Sequence, residues 1–312
     1  MSNIALPTIL IYEPGWMLPE EGLTSCGITC DRDLLKDAQA VVFHVPSAPD
    51  LEGIPKYEGQ VWVAWSMESD VNYPQLRNLE YMKRFDLTMT YRFDSDIPTA
   101  YFGPHTVYEI VRPPQPKTEA APAVYVASNF WDRSGRAAYI GELMRYLPVD
   151  AYGKCFNNRQ WAEDLGQATK LEAYSRYKFT LAFENSRSTD YVTEKFFEPL
   201  IAGSVPVYLG APNIGDFAPG ERCFVEVEKF GGPRELADYL LRVAANEEEY
   251  QSYFAWKQQP LAKKFLEMVN QVATPPFGRL CAMLRCGAHR STAGQDPIHR
   301  VSRWLQQHRQ DS

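Results

Sequence analysis

Four ionisable residues of this chain stand where an apolar strand pattern has just ended or a helical pattern begins: Glu68, Arg136, Glu194 and Lys195. Glu68 follows the run Val61-Trp62-Val63-Ala64-Trp65. A carboxylate at the carboxyl end of a central strand takes a proton from a hydroxyl when burial holds its pKa high enough. Arg136 opens a helix after Ser134-Gly135, and Lys195 lies near the start of the next one. A guanidinium and an ammonium at helix N-termini suit a diphosphate, and they stabilise the negative charge that grows on a departing nucleoside diphosphate. Between them an apolar strand delivers Glu184-Asn185-Ser186, and the loop after it carries Arg187, Asp190 and Tyr191. Acid, amide and phenol groups at that place bind hydroxyls, so the set suits a nucleotide sugar. The ordinary alternatives stand beside this reading: a solvated Arg and Lys, an exposed loop acid, and a strand-to-loop turn closed by Asn and Ser.

Other chemistries have less support. Asp94-Ser95-Asp96 has the Asp-x-Asp form that binds a divalent metal in many sugar-transferring enzymes. It follows a strand in the first half of the chain, far from the diphosphate candidates, and reads as a turn or N-cap, so no metal ligands are assigned. Of five histidines only His44 and His105 precede position 288, which thins the case for a Ser/His/Asp triad. No Gly-rich phosphate loop is present, against a dehydrogenase or kinase. A net charge of −7 argues against nucleic-acid binding. The six cysteines are scattered and are expected as reduced thiols, with Cys26/Cys30 and Cys281/Cys286 the local pairs available for bonding. No segment approaches the roughly 20 apolar residues of a membrane span. The first residues lack a secretory pattern, so the expected location is cytoplasmic.

The elements that position these residues are α/β. Apolar runs at 8–12, 40–44, 61–66 and 87–91 read as buried strands, with weaker helical patterns at 33–39 and 74–84. Pro113 to Pro122 is Pro-rich and marks a boundary, giving domains 1–118 and 119–284. The second domain reads as strand 123–127, a helix near Arg136–Tyr146 burying Ala137, Ile140, Met144 and Leu147, strand 178–183, a helix from about 192, strand 205–208 and a short strand near Cys223–Val227. Helices follow at 233–245 and 248–270, so a parallel sheet covered on both faces is predicted. Residues 285–312 form a basic tail in which Ile298, Val301, Trp304 and Leu305 make one apolar stripe. It packs as a closing helix or touches an anionic membrane surface.

Phe183-Glu-Asn-Ser, Asp190-Tyr-Val-Thr-Glu-Lys and Ala202-Gly-Ser-Val-Pro-Val, in this order, resemble the α-1,3/4-fucosyltransferases. Glu68 with Asn72-Tyr73-Pro74, Thr88-Met-Thr-Tyr-Arg92 and Asp94-Ser-Asp-Ile97 resemble the same family's acceptor domain, and Ser128-Asn129 and Ser134-Gly-Arg136 its donor-domain entry. The likeness spans about residues 60–230. It implies two Rossmann-like domains facing a cleft (the GT-B type), GDP-β-L-fucose as donor and inversion to an α-L-fucoside. It implies Glu68 as general base, Arg136 and Lys195 as diphosphate ligands, and Glu194, Asn185 and Tyr191 as donor contacts beside Glu184 and Ser186. Ser128 and Asn129 would lie against the nucleotide and Tyr91 near the fucose. It implies a glycan acceptor, with no cofactor and no catalytic metal, in a soluble, bacterial-type member. Transfer from another GDP- or UDP-sugar, and an inactive sugar- or nucleotide-binding protein, are the competing readings.

Overall fold

Strands that are apolar at every position cannot face water on either side, and this chain has several. In the computed structural model, which describes residues 6–13, 26–47 and 50–287, they form two parallel sheets. The first contains β1 (Thr8–Glu13), β2 (Gly27–Thr29), β3 (Ala40–His44), β4 (Val61–Ser66) and β5 (Leu87–Thr90), in the order β2-β1-β3-β4-β5. Helix α1 (Leu79–Met82) precedes β5. Every residue of β3 and β4 is buried.

The second sheet follows helix α2 (Pro104–Ile110). Its elements run β6 (Ala123–Ala127), α3 (Arg136–Leu143), β7 (Val149–Gly153), α4 (Gln167–Arg176), β8 (Phe179–Phe183), α5 (Glu194–Ala202), β9 (Val205–Leu209) and β10 (Val225–Glu226). Helices α6 (Pro233–Ala245), α7 (Glu247–Ser252), α8 (Lys263–Gln271) and α9 (Pro276–Cys286) complete the described chain. The strand order is β10-β9-β8-β6-β7. The chain leaves β6 toward β7 on one side and returns to β8 on the other. That reversal is where an open α/β sheet leaves a crevice beyond its strand ends, and the two strands bounding it end at Ser128-Asn129 and at Glu184-Asn185-Ser186.

Several expectations are corrected. The chain divides between Ala100 and Tyr101 rather than at 118/119. The reason is Phe102, whose ring packs on Phe197 and Phe265 of the second unit at 4.7 and 5.6 Å. Residues 274–287 return to the first unit, where Phe277, Leu280, Cys281 and Leu284 of α9 share a core with Ile9, Val42, Val63 and Met89. Each of the Phe, Leu, Ile, Val and Met side chains there contributes about 1.5–3 kcal/mol by leaving water. The predicted helix at 33–39 is only a 3-10 turn at Arg32–Leu34, and Ala137 is exposed while Leu143 takes the buried place. The tail stripe from Ile298 to Leu305 lies outside the described residues. Among the described residues no helix is long and apolar enough to cross a membrane.

The reduced-thiol expectation is also corrected. Cys26 and Cys281 form a disulfide with Cα atoms 6.1 Å apart, 255 positions apart in sequence. Cys30, Cys155, Cys223 and Cys286 are free. Titration of the denatured, unreduced protein should therefore find four reactive thiols, and six after reduction. Six before reduction would show the bond absent. Reduction should lower stability by about 2–5 kcal/mol, measured by denaturant unfolding.

Candidate active site

The loop from β6 to α3 is built around Asp132. Its Oδ1 accepts from the backbone N–H groups of Ser134, Gly135 and Arg136 at 3.0, 2.9 and 3.1 Å, and its Oδ2 from Ala137 at 2.9 Å. Burial alone would raise this carboxyl's pKa. The bonds from Ala137, Ser134 and Arg136 outweigh it and hold the pKa below the usual Asp range. The sequence reading offered the start of α3 as a phosphate cradle. That is corrected, because Asp132 already takes the N–H groups a phosphate would use. The same loop is tied to the end of β8: Ser134 Oγ donates to the Glu184 carbonyl at 2.6 Å and Arg133 N to the Asn185 carbonyl at 2.7 Å. Asp132→Ala should cost about 1–2 kcal/mol, read as a lower denaturation midpoint at neutral pH. A depressed carboxyl stabilises above its unfolded pKa, so the difference from wild type should shrink as pH falls through the acid range. An unchanged midpoint would remove the capping role.

Arg136 is buried, with Nη1 donating to the Phe183 carbonyl at 3.1 Å and Nη2 to the Asn129 carbonyl at 2.8 Å. Two of the five N–H groups of a guanidinium are thus committed to main chain. The guanidinium is held at the strand ends by β8 on one side and the loop after β6 on the other. Ser128 and Asn129 are exposed beside it. Close approach here depends on Gly153, at φ +87°, because a Cβ there would stand 2.4 Å from the Ala127 carbonyl oxygen.

Across the β6/β8 reversal, Thr193 caps α5. Glu184, fully buried, accepts from Thr193 N through Oε1 and from Thr193 Oγ1 through Oε2, each at 2.8 Å. Lys195 Nζ lies 2.9 Å from Glu194 Oε1, 3.1 Å from Thr193 Oγ1 and 3.6 Å from Glu184 Oε2. Burial raises the Glu184 carboxyl to about 7, against the charge of Lys195 and the Thr193 bonds. Burial by itself would lower Lys195, but the carboxylates of Glu194 and Glu184 reverse this and raise it, while the nearby charge of Arg136 opposes them. The two cations predicted from separate segments both stand at the end of β8, Arg136 on the Phe183 carbonyl and Lys195 beside Glu184. A guanidinium and an ammonium at one strand end suit a multiply charged anion.

The other predicted donor residues fall around this pair. Asn185 and Tyr191 are buried, and Ser186 is fully so. Asp190 adopts φ +66°, a left-handed conformation that Asp tolerates better than most residues. Asn213 holds it there, with Oδ1 accepting from Asp190 N at 2.9 Å and Nδ2 donating to Asp190 Oδ1 at 2.8 Å. Asn213, Asp132 and the capping role of Thr193 were missed by sequence reasoning. Only the spacing of Asp132 ahead of Ser134-Gly135-Arg136 carried a usable N-terminal signal.

Glu68 and Tyr91 lie in the first unit. Glu68 is partly exposed just beyond β4, with its backbone N–H bonded to Ser66 Oγ at 3.1 Å. Tyr91 is buried and its hydroxyl donates to Asp70 Oδ1 at 3.0 Å. In Asp94-Ser95-Asp96 the first carboxylate takes a two-pronged bond from Arg92, both arms 2.9 Å, and the second accepts from Thr88 N and Oγ1 at 2.8 and 2.9 Å. Asp94 is thus paired with a neighbouring side chain, and Asp96 ties its loop back to Thr88 of β5.

Residues 5–102 match the model of the fucosyltransferase N-terminal region, and residues 115–304 match that of the glycosyltransferase family 10 (fucosyltransferase) C-terminal region. The chain belongs to glycosyltransferase family 10. An alpha-(1,3)-fucosyltransferase B of Drosophila melanogaster is 33% identical over 267 residues, covering 78% of this chain and 60% of the relative. A GDP-fucose protein O-fucosyltransferase 3 of Homo sapiens is 35% identical over 258 residues, covering 76% of this chain and 53% of the relative. The chain thus spans about half the length of the curated relatives it matches. A crystal structure of an alpha1,3-fucosyltransferase with GDP-fucose shares the fold at a TM-score of 0.51 and 16% identity, over 95% of this chain and 93% of the other. Within family 10, the two parallel sheets with covering helices are the GT-B type.

Proposed function

We propose that this family 10 chain is an inverting, metal-independent fucosyltransferase. It moves L-fucose from GDP-β-L-fucose to a hydroxyl of an acceptor glycan, the GlcNAc of a Galβ-GlcNAc-type unit, giving an α-1,3 or α-1,4 fucoside. The observation that carries the reading is that two cations from separate segments meet the end of β8: Arg136 Nη1 donates to the Phe183 carbonyl at 3.1 Å, and Lys195 Nζ lies 3.6 Å from Glu184 Oε2. Arg136 and Lys195 hold the diphosphate, and Ser128, Asn129, Asn185, Tyr191 and Glu194 contact the donor. The bond from the anomeric carbon to GDP breaks as the acceptor oxygen bonds to that carbon from the opposite face. Glu68 takes the acceptor's proton, and the released negative charge rests on GDP beside the two cations.

The deciding experiment is an assay of GDP-fucose, beside other GDP- and UDP-sugars, against N-acetyllactosamine, its 1,3-linked isomer and a Ser/Thr peptide. Product linkage is read by NMR. Turnover only with another nucleotide sugar would change the donor, and binding without GDP release would make the protein a binder. The peptide is included because one relative is named for fucosylating protein. The Cys26–Cys281 bond supports an oxidising compartment over the cytoplasmic placement expected from sequence.

A further inference from the structure

The segment that carries Glu68 is held by a buried acid that the reaction itself does not use. Asp70 is 2% exposed. Its Oδ1 accepts from the Tyr91 hydroxyl at 3.0 Å and its Oδ2 from Arg77 Nε at 2.9 Å. Its backbone N–H donates back to the Tyr91 oxygen at 3.2 Å. The residues on either side are bound as well. Ser66 Oγ donates to the Glu68 carbonyl at 2.9 Å, Asn72 N donates to Ser69 Oγ at 3.1 Å, and Tyr73 N donates to the Ser69 carbonyl at 2.9 Å. Burial, and after it the nearby charge of Glu68, raise the Tyr73 phenol.

We propose that Asp70 is the positioning residue for Glu68: by bonding Tyr91 at the end of β5 and Arg77 beyond the turn, it holds residues 66–73 so that Glu68 leaves β4 at one angle. This rests on Glu68 being the base. The charged and titratable groups facing the pair include Tyr73 from the segment, Arg77 beyond the turn, and Tyr91 and Arg92 just past β5. A proton abstractor is sensitive to its placement, since a displacement of about 1 Å costs on the order of 100-fold. Tyr91, expected near the fucose, then acts through Asp70.

The test is steady-state kinetics of the full chain with GDP-fucose and N-acetyllactosamine, with GDP affinity by calorimetry. Asp70→Asn should lower kcat about 10- to 100-fold. The KM for GDP-fucose and the GDP affinity should stay within about twofold, and the acid limb of the kcat/KM profile should shift. Tyr91→Phe should change the same quantities less, and the double variant should be no worse than Asp70→Asn, because the two act as a unit. An Asp70→Asn enzyme with unchanged kcat and acid limb would overturn the proposal, as would a kcat loss matched by an equal loss of GDP affinity. Where Asp70→Asn does not fold, Tyr91→Phe and Arg77→Gln decide, and unchanged kcat in both overturns it. Glu68→Gln separates the two ideas. Full turnover there removes the base reading itself, whereas an inactive Glu68→Gln beside a normal Asp70→Asn removes only the positioning role.

Discussion

Glu68→Gln is expected to lower kcat by at least about 100-fold while GDP affinity, measured by calorimetry, stays unchanged. The amide keeps the shape of the side chain and its place beyond β4, so binding groups elsewhere are undisturbed. What it loses is the capacity to accept the acceptor's proton as the new bond forms. Without that acceptance the attacking oxygen stays protonated and the barrier rises by about 3 kcal/mol or more, the equivalent of the rate loss. The variant should lose kcat and kcat/KM together, the pattern of an interaction made only in the transition state. Turnover within tenfold of wild type would remove Glu68 from the role.

The parts of the fold that could be read from sequence are those whose signal is local. β3 and β6 match the apolar runs 40–44 and 123–127, and α6 matches the expected 233–245, because each carries its own pattern and its own punctuation. β7 gave no such signal. Its Asp150 is buried and bonded to the Tyr177 hydroxyl at 2.8 Å, a partner 27 positions away, so a polar residue sits where a strand pattern wants an apolar one. The same division runs through the site. Arg136, Glu184 and Lys195 stand at strand or helix ends and could be found by position. Asp70 reaches Tyr91 across 21 positions and Asp190 is held by Asn213 across 23, and only folding brings such pairs together. The disulfide is the extreme case, since Cys30 and Cys286 were as close in sequence to the bonded residues as any partner the spacing could suggest.

Lys195→Ala is expected to weaken GDP binding on the order of 100-fold, about the loss of one charge-assisted contact to a diphosphate in a partly buried site. The side effects can be worked out from its neighbours. Glu184 already titrates near 7 because it is buried, and Lys195 is the cation holding it that low. Removing the ammonium raises the Glu184 carboxyl further, so at neutral pH the variant carries it protonated and still accepting from Thr193 N. The helix cap therefore survives and the loss is electrostatic. The pH dependence of folding gives an independent check. Because the folded protein keeps a proton on Glu184 that the unfolded chain has released above about 4.5, this group's stabilising contribution is complete below that value. It is lost as pH rises through about 7 in the wild type. In Lys195→Ala the loss should extend to higher pH, and in Glu184→Gln it should vanish. A Lys195→Ala protein that binds GDP as tightly as wild type would take the diphosphate away from this lysine, and a stability profile identical to wild type would uncouple the two residues.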